Sequence, residues 1–269
     1  MALVPLHANT PHVRPTDAGT RLTCAVRIQT HLSENLGEIN YTQELFPGSA
    51  SYTGVYDHFG LLKERTILAH AIHVSDEEIR LIEERKCGLS HCPTSNINLR
   101  SGLFRLVHML DRGIKVGLGT DVSGGYSLGM LPVIRETSTV AKMLAMSEAG
   151  LAGGTTNGEH NPGATKSAPL SPATLFYLAT LGGAHVCELA DRIGSFERGK
   201  EFDALVVNLH IDKDVSDAAT NPSVYAEHAD PLGAKFEKWL FCGDDRNIGA
   251  VFTSGRLVSG TLSFLNTSK

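Results

Sequence analysis

The sequence predicts an α/β fold: about the C-terminal half of a (β/α)8 TIM-type barrel, with a small β layer at its C-terminal end. Three observations carry this reading. Short apolar runs that read as buried strands alternate about four times with helical or loop segments over roughly 110 residues, the rhythm of parallel βα units. Each run leads into a residue able to bind a metal or carry a proton: His31, His70, His91 and Asp121. Strand ends of a barrel deliver side chains to a common rim in this way, and a complete barrel takes about 250 residues.

Taken in order, residues 1–23 are rich in Pro, Thr and His without periodicity and read as an irregular N-terminal segment. Residues 24–200 read as the partial barrel and residues 201–269 as a β-rich C-terminal segment. Thr23 to Thr30 alternates around Val26 and Ile28, which suits a strand, and a looser stretch follows before a short helix between Tyr52 and Leu62. Thr66 to Ala69 is an apolar strand. Ser75 with Glu78 forms a capping box for a helix to Arg85, with Ile79 and Ile82 on its apolar face. Cys87 to Ser90 is a strand, Pro93 to Gly102 a polar loop, and Leu103 to Asp111 a helix that Gly113 is placed to end. Ile114 to Leu118 is the fourth strand.

The pattern changes after Asp121. Gly129 to Met146 reads as a longer amphipathic helix, and Glu148 to Pro169, rich in Gly, Thr and Asn, as a surface loop. Ser171 caps a helix with Pro172 at its first position, running to about His185. Ala204 to Leu209 and Val251 to Val258 are strand-like, the latter with a turn at Ser254-Gly255.

Bulk properties exclude several classes of function. Of the 269 residues, 42% are hydrophobic and 20% charged, ordinary for a globular protein. A net charge of −5 gives no electrostatic reason for a nucleic-acid or anionic-membrane partner. No apolar run approaches the ~20 residues of a membrane span, and Met1 to Arg14 has two prolines and no apolar core, unlike a secretory signal. The five cysteines are scattered and form no CxxC pair, which suits reduced thiols in a cytoplasmic protein rather than disulfides or a thiolate zinc site.

The chemistry lies in the strand ends. His31 and Glu34 are three apart at a strand-to-turn junction, so both side chains can face one cavity. A neutral imidazole suits Zn²⁺ or Fe²⁺, and a nearby carboxylate can move a proton on water. His70 follows a buried strand. His91 opens His91-Cys92-Pro93-Thr94-Ser95-Asn96, whose hydroxyl and amide groups suit a polar heterocycle. Asp121 follows Gly117-Leu118-Gly119-Thr120 and precedes Ser123-Gly124-Gly125, where glycines permit close backbone approach. A buried carboxylate there needs a partner or a metal. Singly, each has an ordinary alternative, such as a core histidine or a helix-capping acid; four in barrel order are a stronger signal.

On these residues the chain resembles the amidohydrolase superfamily and, within it, the guanine deaminase family. The resemblance runs from about residue 24 to 258, through IQTHLSEN at 28–35, Tyr52 to Asp57, LAHAIHVS, SHCPTSN, GLGTDVSGGYS, ATLGG and IGSFERGKEFDALVVN. The run Gly243-Asp244-Asp245-Arg246-Asn247-Ile248, with Gly124-Gly125-Tyr126, favours the guanine deaminases. It implies a metal site, with one Zn²⁺ (alternatively Fe²⁺) held by His31, His70 and Asp121. Asp121 would also contact the attacking water. Glu34 would shuttle the proton, and His31, Glu34, His91 and Asp121 would line a pocket for guanine, converted with water to xanthine and ammonia. The family tends to form homodimers.

Two of the family's features have no counterpart. Its His-x-His metal pair is unmatched, since His7 and His12 lie five apart, and its purine-gripping Arg-Phe dipeptide is unmatched by Arg14-Pro15 or Arg21-Leu22. The reading is therefore of the C-terminal portion of such an enzyme. Two alternatives stand beside it: another amidohydrolase deaminating a different nucleobase or a triazine, and a shortened, non-catalytic chain, which the absent pair favours.

Overall fold

The computed structural model describes residues 27–148, 169–209 and 221–261. The irregular segment expected at 1–23 and the start of the first strand lie outside them, as does most of the loop expected at 148–169.

The four apolar runs form one parallel sheet: β1 (Ile28–Leu32), β2 (Thr66–His70), β3 (Gly88–His91) and β4 (Lys115–Leu118), neighbours in chain order. Pairing aligns Leu32 with His70, Ala69 with Ser90 and His91 with Leu118, so the carboxyl ends of all four lie along one rim. Helices α1 (Leu36–Leu45) and α2 (Tyr52–His58) connect β1 to β2, α3 (Asp76–Glu84) connects β2 to β3, and α4 (Pro93–Asn98) and α5 (Leu106–Asp111) connect β3 to β4. Four successive parallel βα units are half of an eight-fold barrel, as the sequence predicts.

Local chemistry accounts for most of these boundaries. Ser75 and Glu78 make both bonds of the predicted capping box, and three acids in the first turn of α3 suit the positive end of its dipole. Ile79 and Ile82 are fully buried against the sheet with Leu68, Leu89, Phe104 and Met109. Each such side chain contributes roughly 1.5–3 kcal/mol by leaving water. Gly113, at φ 72°, ends α5.

Three expectations change. The stretch after β1 holds a ten-residue helix, α1, capped reciprocally by Asn35 and Glu38. The polar loop at 93–102 is helical over its first six residues: Pro93 sits at the first position, where its fixed φ suits helix entry, and Thr94, Ser95 and Asn96 are buried. The helix expected from Ser171 to His185 is three pieces: α7 (Pro172–Tyr177), a π-helical turn (Leu178–Gly182) and α8 (Gly183–Val186). Glycines set that packing. A Cβ on Gly117 of β4 would lie 2.8 Å from the Cα of Gly183, so helix and strand approach backbone to backbone.

The long helix α6 (Met130–Glu148) packs on α4, α7 and a further helix, α9 (Leu232–Cys242). Arg135 of α6 donates to the carbonyl oxygens of Leu240 and Gly243, while Phe176, Phe236 and Trp239 form an aromatic cluster beneath. The β layer is a three-stranded antiparallel sheet of β5 (Ala204–Val207), β6 (Ile248–Thr253) and β7 (Arg256–Gly260), with the predicted turn at Ser254-Gly255. Arg246 and Asn247 join it to Asn221 and Asn208 through side-chain hydrogen bonds.

Candidate metal centre

The rim at the carboxyl ends of β1–β4 brings three of the predicted residues together. One ligand atom each from His31, His70 and Asp121 lies within 4.8 Å of the others. The rings of His31 and His70 stack at 5.1 Å, tilted by 17°. Nε2 of His70 is 3.9 Å from Oε2 of Glu34 and 3.8 Å from Oδ2 of Asp121. Residues 31, 34, 70 and 121 thus face one point from three strand ends.

The backbone reaching that point is strained. Ser33, His70, Ala71 and Asp121 have φ of 47°, 69°, 47° and 45°, in the left-handed region disfavoured for residues with a Cβ. Each such residue costs on the order of 1–3 kcal/mol and persists only where its surroundings hold it. Here the carbonyls of Leu32 and Ser33 accept hydrogen bonds from the backbone N–H groups of Ala71, Ile72 and His73, lacing the ends of β1 and β2 together. Gly124 and Gly125 follow Asp121 because nothing larger fits: a Cβ on the first would lie 2.6 Å from Ser95 Oγ, and on the second 2.1 Å from the Thr120 carbonyl oxygen.

Supporting contacts fix the side chains. His70 is almost fully buried, and its Nδ1 lies 2.8 Å from Oδ1 of Asn96. Ser101 Oγ donates to Oε1 of Glu34 at 2.8 Å, and the Ser101 carbonyl is bonded by His73 Nε2 at 2.7 Å. Tyr56 donates its hydroxyl to the carbonyl of His31 at 2.9 Å. Asn96 was legible only as a polar group of the SHCPTSN run. Ser101 and Tyr56 carried no signal for this role, being 67 and 25 residues from the groups they hold.

His91 lies beneath the rim. It is fully buried, stacks on Phe104 at 4.9 Å, and neither ring nitrogen has a hydrogen-bond partner. Burial, with a smaller contribution from His70, lowers its pKa to about 3, so the ring is neutral. Burial pushes the neighbouring Cys92 thiol up to about 12, which leaves it protonated and unsuited to bind metal.

The donor set fits a divalent metal. Two imidazoles and a carboxylate are the ligand types Zn²⁺ takes in catalytic sites. His70 Nε2 is a buried nitrogen with no hydrogen-bond partner, lying 3.9 and 3.8 Å from the Glu34 and Asp121 carboxylates. A buried polar atom left so is costly unless something outside the protein satisfies it.

A parallel β/α sheet with histidines and an aspartate converging on its carboxyl rim defines a class of hydrolase, and the chain belongs to it: residues 23–258 match the amidohydrolase family, whose members commonly use a metal ion. Similar proteins within the family include guanine deaminases. The chain is 45% identical over 233 residues to a probable guanine deaminase of Schizosaccharomyces pombe, covering 87% of this chain and 40% of that one. Among solved structures, guanine deaminase of C. acetobutylicum with guanine in its active site matches at 36% identity with a TM-score of 0.70, over 87% of this chain and 49% of that one. The E. coli enzyme matches at 31% with a TM-score of 0.71, over 88% and 48%. The chain spans about half the length of the curated relatives it matches.

Proposed function

We propose that this chain carries the proton-transfer half of a guanine deaminase site, for the hydrolysis of guanine to xanthine and ammonia. The observation that carries it is the meeting of His31, His70, Asp121 and Glu34 at one point, in a chain whose relatives are named for that reaction. His31, His70 and Asp121 hold the metal, taken as Zn²⁺ with Fe²⁺ the alternative. When bound, the metal acidifies the attacking water toward neutral pH.

The chain's own residues do the rest. Asp121 accepts a hydrogen bond from the attacking water and fixes its approach. Glu34, held on one oxygen by Ser101, presents the other toward the same point, and a base there must reach its proton within about 2.6–3.2 Å in the substrate complex. It takes one proton from the water whose oxygen adds to the amino-bearing carbon and passes it to the purine ring nitrogen. It then takes the remaining proton of the added hydroxyl and gives it to the amino group, which departs as ammonia as the C–N bond breaks. His91, neutral and stacked on Phe104, forms the floor. The same reading places the protein in the cytoplasm, as a homodimer without nucleic-acid or membrane partners. Among the described residues, no helix is long and apolar enough to cross a membrane.

The test loads the purified chain with Zn²⁺, measures bound metal by elemental analysis, and follows ammonia release from guanine, adenine, cytosine and a triazine. About one metal per chain and release from guanine alone are expected. A chain that stays metal-free, or that prefers another base, overturns the reading.

A further inference from the structure

We propose that His73 is a positioning residue for Glu34, clamping Ser101 against the end of β1 so that the Ser101 hydroxyl meets the proton carrier. The proposal rests on the reading of Glu34 above, but its observations are internal to the chain and involve no metal. His73 Nε2 lies 2.7 Å from the carbonyl oxygen of Ser101. A carbonyl oxygen only accepts, so the proton of this bond sits on Nε2, whichever way Nδ1 is protonated. The backbone N–H of the same residue donates to the carbonyl of Ser33 at 3.0 Å, directly before Glu34 in the chain. Both partners of the Ser101–Glu34 hydrogen bond, 67 residues apart in sequence, are thus tied to one residue.

The turn carrying Ser101 is shaped for that contact. The Ser101 N–H donates to the Asn96 carbonyl at 2.8 Å, so α4 holds one side of this residue's backbone and His73 the other. Arg100 before it is left-handed at φ 58°, and Gly102 after it has φ 141°, which residues with a Cβ rarely adopt. A Cβ on Gly102 would lie 2.8 Å from Cγ2 of Ile72 and 3.3 Å from the His73 ring, so the backbone presses directly on the imidazole. A turn of this kind persists only where its surroundings hold it. Without the His73 bond the Ser101 carbonyl loses its partner, and the hydroxyl loses its fixed distance to Oε1 of Glu34. A carboxylate held on one oxygen has one orientation; released, it samples several rotamers.

The experiment uses the isotope-labelled, metal-free chain for its first readouts. Two-bond ¹H–¹⁵N correlations are expected to show a proton on His73 Nε2, and three-bond couplings a single side-chain rotamer for Glu34. His73→Ala should average the Glu34 couplings, as Ser101→Ala does, while His73→Gln, whose amide N–H can replace the lost donor, should restore the single rotamer. In the zinc-loaded chain, guanine turnover should fall about threefold to tenfold in His73→Ala, with KM and bound metal little changed. The double variant His73→Ala/Ser101→Ala should lose no more than Ser101→Ala, because His73 acts through Ser101, whereas a merely structural role would add its own loss. A His73 ring protonated on Nδ1 alone, unchanged Glu34 couplings in His73→Ala, or additive losses overturn the proposal. Should His73→Ala fail to fold by circular dichroism, His73→Phe, which keeps a ring beside Gly102 but cannot donate, gives the same readouts. A wild-type chain without guanine turnover overturns the proposed function alone, and the rotamer couplings still decide the role of His73.

Discussion

The two ends of the parallel sheet are built on opposite principles. At the amino ends of the strands, charges are paired: Arg85 grips Asp57 with two bonds of 2.6 and 2.9 Å, Arg112 meets Glu83, and Lys115 meets Glu188. At the carboxyl ends, polar groups are buried and left without partners. Six of the eight such side-chain atoms among the described residues belong to Ser33, His70, His91, Ser95 and Asn96. Ser33, His70, Ala71 and Asp121 are left-handed at that end, and Lys86 and Glu188 at the other, so the unpartnered polar groups rather than backbone strain mark the difference. One end stabilises the sheet; the other spends stability on holding groups ready for something not supplied by the protein. That asymmetry, rather than any single motif, distinguishes a working rim from a structural one.

The largest expected effect tests whether the carboxyl rim does chemistry. Glu34→Gln keeps the shape of the side chain and removes its ability to take a proton. Guanine turnover should fall by roughly 10²–10⁴, while bound metal per chain stays as in the wild type. Turnover that survives would move the proton shuttle to another group. Lys115→Ala, at the opposite end, should leave both readouts unchanged.

The second effect is on stability. The folded chain holds His91 neutral with a pKa of about 3, whereas the unfolded chain protonates it near the ordinary ~6.5. A lowered histidine pKa means the unfolded state binds more protons as pH falls. Stability is therefore full above about pH 6.5 and declines toward pH 3, by up to about 1.4 kcal/mol per unit. His91→Phe, which retains a ring against Phe104, should flatten that slope between pH 6 and 4. Urea midpoints across this range measure it, and parallel slopes for the two proteins would show that His91 does not carry the acid sensitivity.

What the sequence made legible follows the same division. His31, Glu34, His70 and Asp121 were readable because each follows an apolar run, and parallel pairing brings such ends together whatever lies between. The capping box of α3 was readable because Ser75 and Glu78 are three residues apart. The supporting groups were not, because their partners are set by tertiary packing. Ser101 reaches Glu34 across 67 residues, and Asn96 reaches His70 across 26. Asn96 was further hidden in a helix of turn-forming residues whose Cys92 cap makes no side-chain bond, so burial rather than propensity forms α4. For α9 a signal existed: Leu232, Phe236, Trp239 and Leu240 recur at helical spacing, and the strand-like runs on either side obscured it.

A smaller effect is expected where the rim is supported from behind. Ser101→Ala removes the hydroxyl that donates to Oε1 of Glu34. A hydrogen bond to a charged group contributes about 1.5–3 kcal/mol. Turnover should fall about tenfold or more, with KM little changed, because the carboxylate is still present but no longer held toward the metal position. Ser101→Thr, which restores the hydroxyl, should recover most of it. A loss in KM instead would assign Ser101 to substrate binding.

The smallest effect belongs to the amino end. Asp57 is bound on both oxygens by Arg85, and that contact holds its carboxyl below the usual carboxylate range. A depressed carboxylate pKa stabilises the fold above the unfolded value and loses that contribution as pH falls through the folded one. Arg85 is largely exposed, however, and an ion pair in contact with water contributes only about 0–1 kcal/mol. Asp57→Asn should therefore lower stability at neutral pH by no more than that, and by less in high salt, where the charges are screened. Metal content and turnover should match the wild type. A loss of bound metal in Asp57→Asn would mean that the two ends of the sheet are mechanically coupled, and the division between a stabilising end and a working end would fail.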